Sequence, residues 1–483
     1  MPFDELRNVK RQKVAIESPS DSLDGGDYED PPQLRPLSEM QTLYLETIDR
    51  SRLDFDFEKV CSVSLAKVNV YACLVCSKYF QGRNKASYAY LHSINDDHHV
   101  YINLSTLRIY ILPENREVTA KNLILEDIKY LVDPAYTPEQ IAQLSTRAQA
   151  YDLNHKAYRA GYVGLNNINA NDYANVVLQL LSHVPPVRDF YLANPALIAA
   201  NELNSKFGLL VRKMWSSKLF KAHVSPHELL QYIDIASKNT FTITNQKEPK
   251  DLFVWLLNQL HAPLAKVMPK GTVIARAFQG KIRIMTQKVV ASTNKNTNTV
   301  QFTTDTAITT SDTRFWILTL DLPSQLLFKK DNLLNGQAAI AQCSLLQLLA
   351  KYNGYTVTSS PGAVRKYKII KLPKYLILHF NRFPQGMDHA DRNQTVVKFP
   401  TVLDMAPYVE NQTAPLHYKL LGNAIHEVVT DENNGVEGKD RSLWKVQLED
   451  GKGWVRIHDL KVDEIEKELL FLEESYVQIW ARV

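Results

Sequence analysis

Cysteine places the tightest limit on what this chain can become. Of its four cysteines, Cys61, Cys73 and Cys76 fall within sixteen positions, and Cys343 stands alone in the rest. Thiols spread so unevenly over 483 residues do not make a disulfide framework, and the pair Cys73-Leu-Val-Cys76 has the spacing of a metal knuckle. Fifteen residues separate Cys76 from His92, and five more separate His92 from His98. Two thiolates and two imidazoles complete a tetrahedral zinc shell with no open position. The expectation is therefore one structural Zn2+ on Cys73, Cys76, His92 and His98. His99 adjoins His98, so the choice between those two stays open. A unit this small has little core, and the metal would supply much of its folding energy without involving the rest of the chain.

Length requires more than this unit, because single cores stop growing near ~250–300 residues. A content of 45% hydrophobic and 10% aromatic residues is that of a globular chain. The net charge of +4 gives no case for bulk nucleic-acid binding, although a local basic face stays open. No apolar run reaches the ~20 residues of a membrane span, and the first residues lack the apolar stretch of a secretory leader; a soluble intracellular protein is expected. Residues 1–38 are polar and acidic and should be disordered, and their Lys10-Arg11-Gln12-Lys13 fits either a short nuclear import cluster or plain solvated charge.

Residues 39–118 then form the Cys/His domain, with a compact part at 59–112, and 119–150 form a connecting segment. In that segment Thr137-Pro138-Glu139-Gln140 reads as a capping box opening a helix to about Ala150. Residues 151–483 read as one large domain. Helices are expected at 173–184 and 250–261, and strands at 314–321, 374–380 and 476–481. A hairpin is expected at 443–457, and the Thr/Asn/Lys-rich stretch 285–312 should be an exposed loop or loose hairpin. Helices first and strands later indicate an α+β fold.

Two segments carry a family resemblance. Ala72-Cys73-Leu-Val-Cys76, Gln81-Gly82-Arg83, His92 and His98-His99-Val100 resemble the UBP-type zinc finger of the ubiquitin-specific proteases. That family has Cys-x-x-Cys where this chain has Cys61-Ser-Val-Ser64, and Cys where it has Gln81, so the resemblance implies no second zinc. Cys61 is read as a buried small apolar residue. The family's ubiquitin-gripping Arg matches Arg83, but its aromatic clamp falls near Leu107, which argues against binding of free ubiquitin.

The second segment, Gly164-Leu-Asn-Asn-Ile-Asn-Ala-Asn171-Asp172-Tyr173-Ala-Asn175-Val-Val-Leu-Gln179, is similar to the cysteine box of the same proteases, with Asp172 at the nucleophile. The resemblance places Leu443 where the general base belongs and His458 where its orienting Asp or Asn belongs. A carboxylate is a feeble nucleophile toward an amide and leucine cannot take a proton, so no Cys–His–Asp relay can be built from these positions. Asn171 or Asp172 should instead cap the following helix, and His426 and Asp459 should have structural hydrogen-bonding roles. Cys343, in an apolar stretch expected to be helical, should be inert.

The implied fold is papain-like, with a helical thumb, a β-rich palm and reduced fingers, covering about 59–112 and 155–482. A degenerate finger ahead of a domain lacking all three relay members further resembles the inactive protease-like splicing factors of the spliceosomal tri-snRNP. That resemblance implies a nuclear scaffold contacting the large core splicing protein and the helicase that unwinds paired small nuclear RNAs, with at most peripheral contact to those RNAs. The alternative is a ubiquitin-binding module that does not cut.

Overall fold

All four residues of the strand Val70–Cys73 (β1) are buried, so it is covered on both faces. It sits in a five-stranded antiparallel sheet with Tyr79–Gln81 (β2), Val100–Asn103 (β3), Ile109–Ile111 (β4) and Arg116–Glu117 (β5), in the order β2-β1-β3-β4-β5. Period-two alternation divides its side chains. Tyr71, Cys73, Tyr101 and Tyr110 face the helix Tyr88–Asn95 (α1) through Phe80 and Ala89. Val70, Ala72, Val100, Ile102 and Ile109 pack instead on Leu53 and Phe55 and on the helix Leu123–Val132 (α2). The computed structural model describes residues 44–118, 123–144, 149–293, 300–323, 333–334, 337–338, 341–360, 362–384, 392–429 and 441–483. The tail at 1–38 lies outside them.

The small unit therefore reaches beyond 59–112, and it is not self-contained. Phe220 of the large domain belongs to its core. Lys213, 5% exposed, donates to the Phe55 carbonyl at 2.7 Å and to Asp56 Oδ1 at 2.8 Å, and Asp56 Oδ2 accepts the Ser225 N–H at 2.7 Å. A buried ammonium is tolerated only with such partners, so the contact has one geometry.

In the connecting segment the capping box is present, with Thr137 Oγ1 accepting from the Gln140 N–H and Gln140 Oε1 from the Thr137 N–H. The helix Pro138–Ala142 (α3) stops there and does not run to Ala150, which lies in a short strand paired with Tyr158. None of its five residues is buried, though Ile141 packs against the large core and Leu144 just beyond belongs to it.

The large domain opens with helices. All eleven residues of Asp172–Ser182 (α4) are buried, which is why it also carries Asn175 and Gln179, whose amides satisfy the carbonyls of Leu165, Asn166 and Val163. Glu202–Met214 (α5) follows, then Pro249–Val267 (α6), which outruns the expected 250–261 because Leu264 still packs inward.

Gly280–Thr293 (β6) and Val300–Phe315 (β7) pair regularly across the stretch expected to be a loop or loose hairpin, with one register shift between Gln287 and Val289. With Thr358–Ser360 (β9) and Ala363–Lys371 (β10) they form the fingers, a four-stranded sheet ordered β7-β6-β10-β9. The fingers carry no cysteine, so what is reduced in them is metal chemistry. The strand expected at 314–321 is split. Trp316 leaves the ladder and donates Nε1–H to Asn258 Oδ1 of α6 at 2.8 Å, and Ile317–Asp321 (β8) joins a different sheet.

That sheet, the palm, includes Tyr375–Asn381 (β11), Val402–Asp404 (β12), His417–Val429 (β13), Arg441–Glu449 (β14), Trp454–His458 (β15), Lys461–Ile465 (β16) and Glu474–Arg482 (β17). Its order is β8-β11-β17-β13-β14-β15-β16, with β12 on β13. The hairpin β14/β15 turns where expected: Asp450 Oδ1 accepts from the N–H groups of Lys452 and Gly453, and Gly451 has φ +83°. Helix α4 packs against β14, which brings the thumb to the palm at Asp172.

Candidate metal centre and vestigial cleft

β1 ends on Cys73 and the chain turns through Cys76; α1 supplies His92, and His98 precedes β3. One donor atom from each lies within 4.8 Å of the others. Cys76 Sγ is 3.3 Å from His92 Nε2, which is 3.2 Å from His98 Nδ1. His92 Nδ1 is held by Asp96 Oδ2 at 2.6 Å, one helical turn on; this fixes the ring and leaves Nε2 for a metal. Hydrogen bonding from Cys73 draws the Cys76 thiol down, which favours a thiolate donor there. The donor set thus fits zinc. His99 is turned away, with Nδ1 2.7 Å from the Leu112 carbonyl and Nε2 2.8 Å from Asp97 Oδ1, and His98 is the neighbour whose ring joins the other three donors.

At the position lacking donors, Ser64 Oγ donates to Gln81 Oε1 at 2.9 Å. Cys61 is fully buried, and it is not merely apolar: its sulfur accepts the N–H groups of Gln81 at 3.2 Å and Ser64 at 3.4 Å. Burial pushes its thiol up, but hydrogen bonds from Ser64, Val63 and Gln81 outweigh that, and the net direction is down. Arg83 lies 4.3 Å over the Tyr110 ring and bonds Asn115, and Leu107 packs against the finger's core.

In the large domain Asp172 heads α4 at 2% exposure. Gln246 Nε2 donates to both of its oxygens at 2.8 Å and also to the Ser442 carbonyl at 3.1 Å. The Trp444 N–H donates to Asp172 Oδ2 at 3.0 Å, and the Tyr173 N–H to Oδ1 at 3.0 Å. Thumb, palm and the loop before α6 therefore meet on one carboxylate. Burial pushes its pKa up, and the hydrogen bonds from Gln246 and Trp444 offset only part of that.

Asn171 occupies the N-cap position of α4, but its side chain does not cap. It ties the preceding loop instead, accepting from the Ile168 N–H at 2.7 Å and donating to the Asn166 carbonyl at 3.0 Å. Leu443 sits half-buried beside Trp444, so the structure brings its strand to Asp172 while its own side chain adds no proton acceptor. His458 closes β15 and lies 3.5 Å from Asp459 Oδ2. Asp459 is what Asp172 feels electrostatically, and it accepts from Asn167 Nδ2 at 3.3 Å. Gly164 allows this approach, since a Cβ there would meet the Asp459 carbonyl at 2.7 Å. The seam behind α4 leaves a cavity of about 10 Å³ between Asn175, Gln179, Trp444 and Asp459, room for one water at most.

His426 is buried, bonds Ser442 Oγ and packs 4.7 Å from the Trp444 ring. Cys343 lies on a short strand, Gln342–Ser344, and the helix begins only at Leu345, where the Ser344 capping box fixes its start. Burial pushes the Cys343 thiol up, as expected of an inert side chain. Sequence reasoning missed two participants. Asp96 was legible as the i+4 neighbour of His92, whereas nothing local marks Gln246.

Residues 163–480 match the family described as ubiquitin carboxyl-terminal hydrolase, and residues 61–123 match the Zn-finger found in ubiquitin-hydrolases and other proteins. The chain is 39% identical over 456 residues to the probable mRNA-splicing protein ubp10 of Schizosaccharomyces pombe, spanning 92% of this chain and 88% of that one. It is 40% identical over 464 residues to ubiquitin carboxyl-terminal hydrolase 39 of Homo sapiens, spanning 91% and 79%. The crystal structure of an essential yeast splicing factor superimposes with a TM-score of 0.72 at 32% identity, covering 91% of this chain and all of that one.

Proposed function

The chain belongs to the ubiquitin carboxyl-terminal hydrolase family, and we propose that it is a non-catalytic member acting as a scaffold or assembly factor in pre-mRNA splicing. One observation carries the loss of chemistry. The position that resembles the nucleophile holds a buried carboxylate whose oxygens are occupied by Gln246, Trp444 and Tyr173. With Leu443 and His458 at the other two positions, no group stands ready to activate an attacking atom. The splicing role is supported by relatives along most of the chain that are named as splicing proteins.

On this reading the protein is nuclear and helps assemble or hold the tri-snRNP through the large core splicing protein and the RNA-unwinding helicase. Its metal is one structural zinc on Cys73, Cys76, His92 and His98, which orients the finger and takes no part in a reaction. The domain limits are 39–118 for the finger, 119–150 for the connection and 151–483 for the protease-like domain. The ubiquitin-binding alternative draws no support from a seam hydrogen-bonded across on Asp172.

Zinc-loaded protein should leave a fluorogenic ubiquitin C-terminal substrate uncut, before and after Asp172→Cys, and affinity purification from nuclear extract should recover tri-snRNP proteins and RNAs. Turnover that Asp172→Ala abolishes, or recovery of ubiquitin conjugates in place of ribonucleoprotein, would overturn the reading.

A further inference from the structure

The four strands of the fingers hold eight Lys and Arg against two Asp, a surplus of six, in a chain whose total surplus is four. The remainder of the molecule is therefore net acidic, and positive charge is concentrated on one projecting sheet. Three of the eight cations have partners. Lys281 and Arg283 meet Asp312, Arg283 also meets Glu410, and Lys368 donates to the Asn353 and Pro407 carbonyls. Among the described residues, Lys288, Arg314, Arg365, Lys366 and Lys371 make no ion pair and no side-chain hydrogen bond. Four of them are exposed and Lys366 is half-exposed.

Register spreads them along the sheet. Lys288 stands opposite Ala363 and Arg365 opposite Thr286 and Thr358, while Lys366 stands opposite Met285. Lys371 and Arg314 both flank Lys281 at the palm end. The edge strand beside them is rich in hydroxyls: Thr306, Thr309, Thr310, Ser311 and Thr313 lie on β7, which pairs on one side only. Alternation puts Lys288 and Arg365 on the face of Thr309, Ser311 and Thr313, and Arg314, Lys366 and Lys371 on the opposite face with Thr310. Unpaired cations beside hydroxyl donors on both faces of a sheet with an open edge are what a phosphate backbone is bound by.

We propose that the finger sheet binds RNA through its phosphates, without reading sequence. An acidic protein segment fits less well, because such docking is anchored by apolar pockets, and among the described residues the cavities beside Trp454, Tyr158 and Phe55 all lie outside this sheet. The surface lies on elements distinct from both the metal centre and the Asp172 seam. Charge placement alone carries it, so it and the splicing reading fail separately.

The full zinc-loaded chain would be titrated into a labelled uridylate oligomer of about 20 nucleotides by fluorescence anisotropy over a range of salt. Binding should weaken steeply with salt. Neutralising all five as Lys288→Gln, Arg314→Gln, Arg365→Gln, Lys366→Gln and Lys371→Gln should cut affinity at least tenfold at low salt and flatten the log–log salt slope by about 3.5, at roughly 0.7 for each phosphate no longer neutralised. A triple variant at 288, 365 and 366 alone should lie between, and neutralising Lys238, Lys266 and Lys270 on the helical side should change little. The proposal is overturned if wild type does not bind, if the helical-side control loses as much as the finger variants, or if polyglutamate displaces the RNA at equal charge concentration.

Discussion

The metal centre and the vestigial cleft have been treated differently by the same fold. At Cys73, Cys76, His92 and His98 the donors converge and the ring of His92 is held by Asp96. At Asp172 a buried carboxylate heads α4, and loop, helix and strand close on it through hydrogen bonds. A structural metal shell works only as a complete set, because each missing donor opens the coordination sphere. A cleft without chemistry has no such requirement, and its buried positions need only be hydrogen-bonded. The pair Ser64–Gln81 follows the second rule within the finger itself, where a side-chain hydrogen bond stands in place of donors.

Removing a metal donor should have the largest effect. Cys73→Ala should take the protein from about one zinc to none and unfold the finger, since structural zinc contributes apparent free energies of ~10–16 kcal/mol in finger peptides. Sequence reasoning expects the large domain to stay intact. The structure argues otherwise, because Phe220 and Lys213 are buried against the finger. Hydrogen exchange should therefore show reduced protection at 70–117 and also around 210–225. Protection retained across 70–117 without zinc would erase the contrast between the two regions.

Asp172→Ala should cost about 2–3 kcal/mol in urea denaturation, because it strands the Trp444 N–H in a tight seam and leaves the Gln246 amide only the Ser442 carbonyl. Its pH dependence has a defined sign. Burial raises the folded-state pKa, so the folded protein holds this proton more tightly than the unfolded chain does. The stabilisation linked to the proton is present at low pH and fades as pH rises from the ordinary Asp range through the raised value. Asp172→Asn should remove that slope; an unchanged profile would mean that the carboxylate is not desolvated.

The smallest effect is expected at the vacated finger position. Ser64 is exposed, and Ser64→Ala should change stability by less than ~0.5 kcal/mol with zinc content unaltered. A loss of zinc on that substitution would show the two parts of the finger to be one coupled site.

Legibility tracked how local each signal was. The Cys-x-x-Cys knuckle, the Thr137 capping box, the Asp450–Gly453 turn and the helix after Asp172 are set by neighbours a few residues apart, and all could be placed in advance. Misplacements arose where a distant element decided the outcome. Trp316 breaks its strand for a partner on α6, the helix opened at Thr137 gives way to a short strand because Ala150 pairs with Tyr158, and Cys343 is strand because Gln342–Ser344 pairs in parallel with Val396–Lys398. The Thr-rich stretch took the hairpin of its two expected forms, and regular rather than loose, with β10 alongside β6 in a pairing made across some eighty residues.

The sequence by itself determined which side chains are available: one Cys/His donor set, and Asp172, Leu443 and His458 at the positions that resemble a protease relay. Residue identity settles that, since no packing can make leucine a base or carboxylate a thiol. Only the tertiary structure decided what those positions do now. Whether Asp172 would be a solvated cap or a buried junction depended on Gln246 and on the Trp444 N–H, 74 and 272 positions away. A hydrogen bond is read from distance in space, and distance along the chain does not report it.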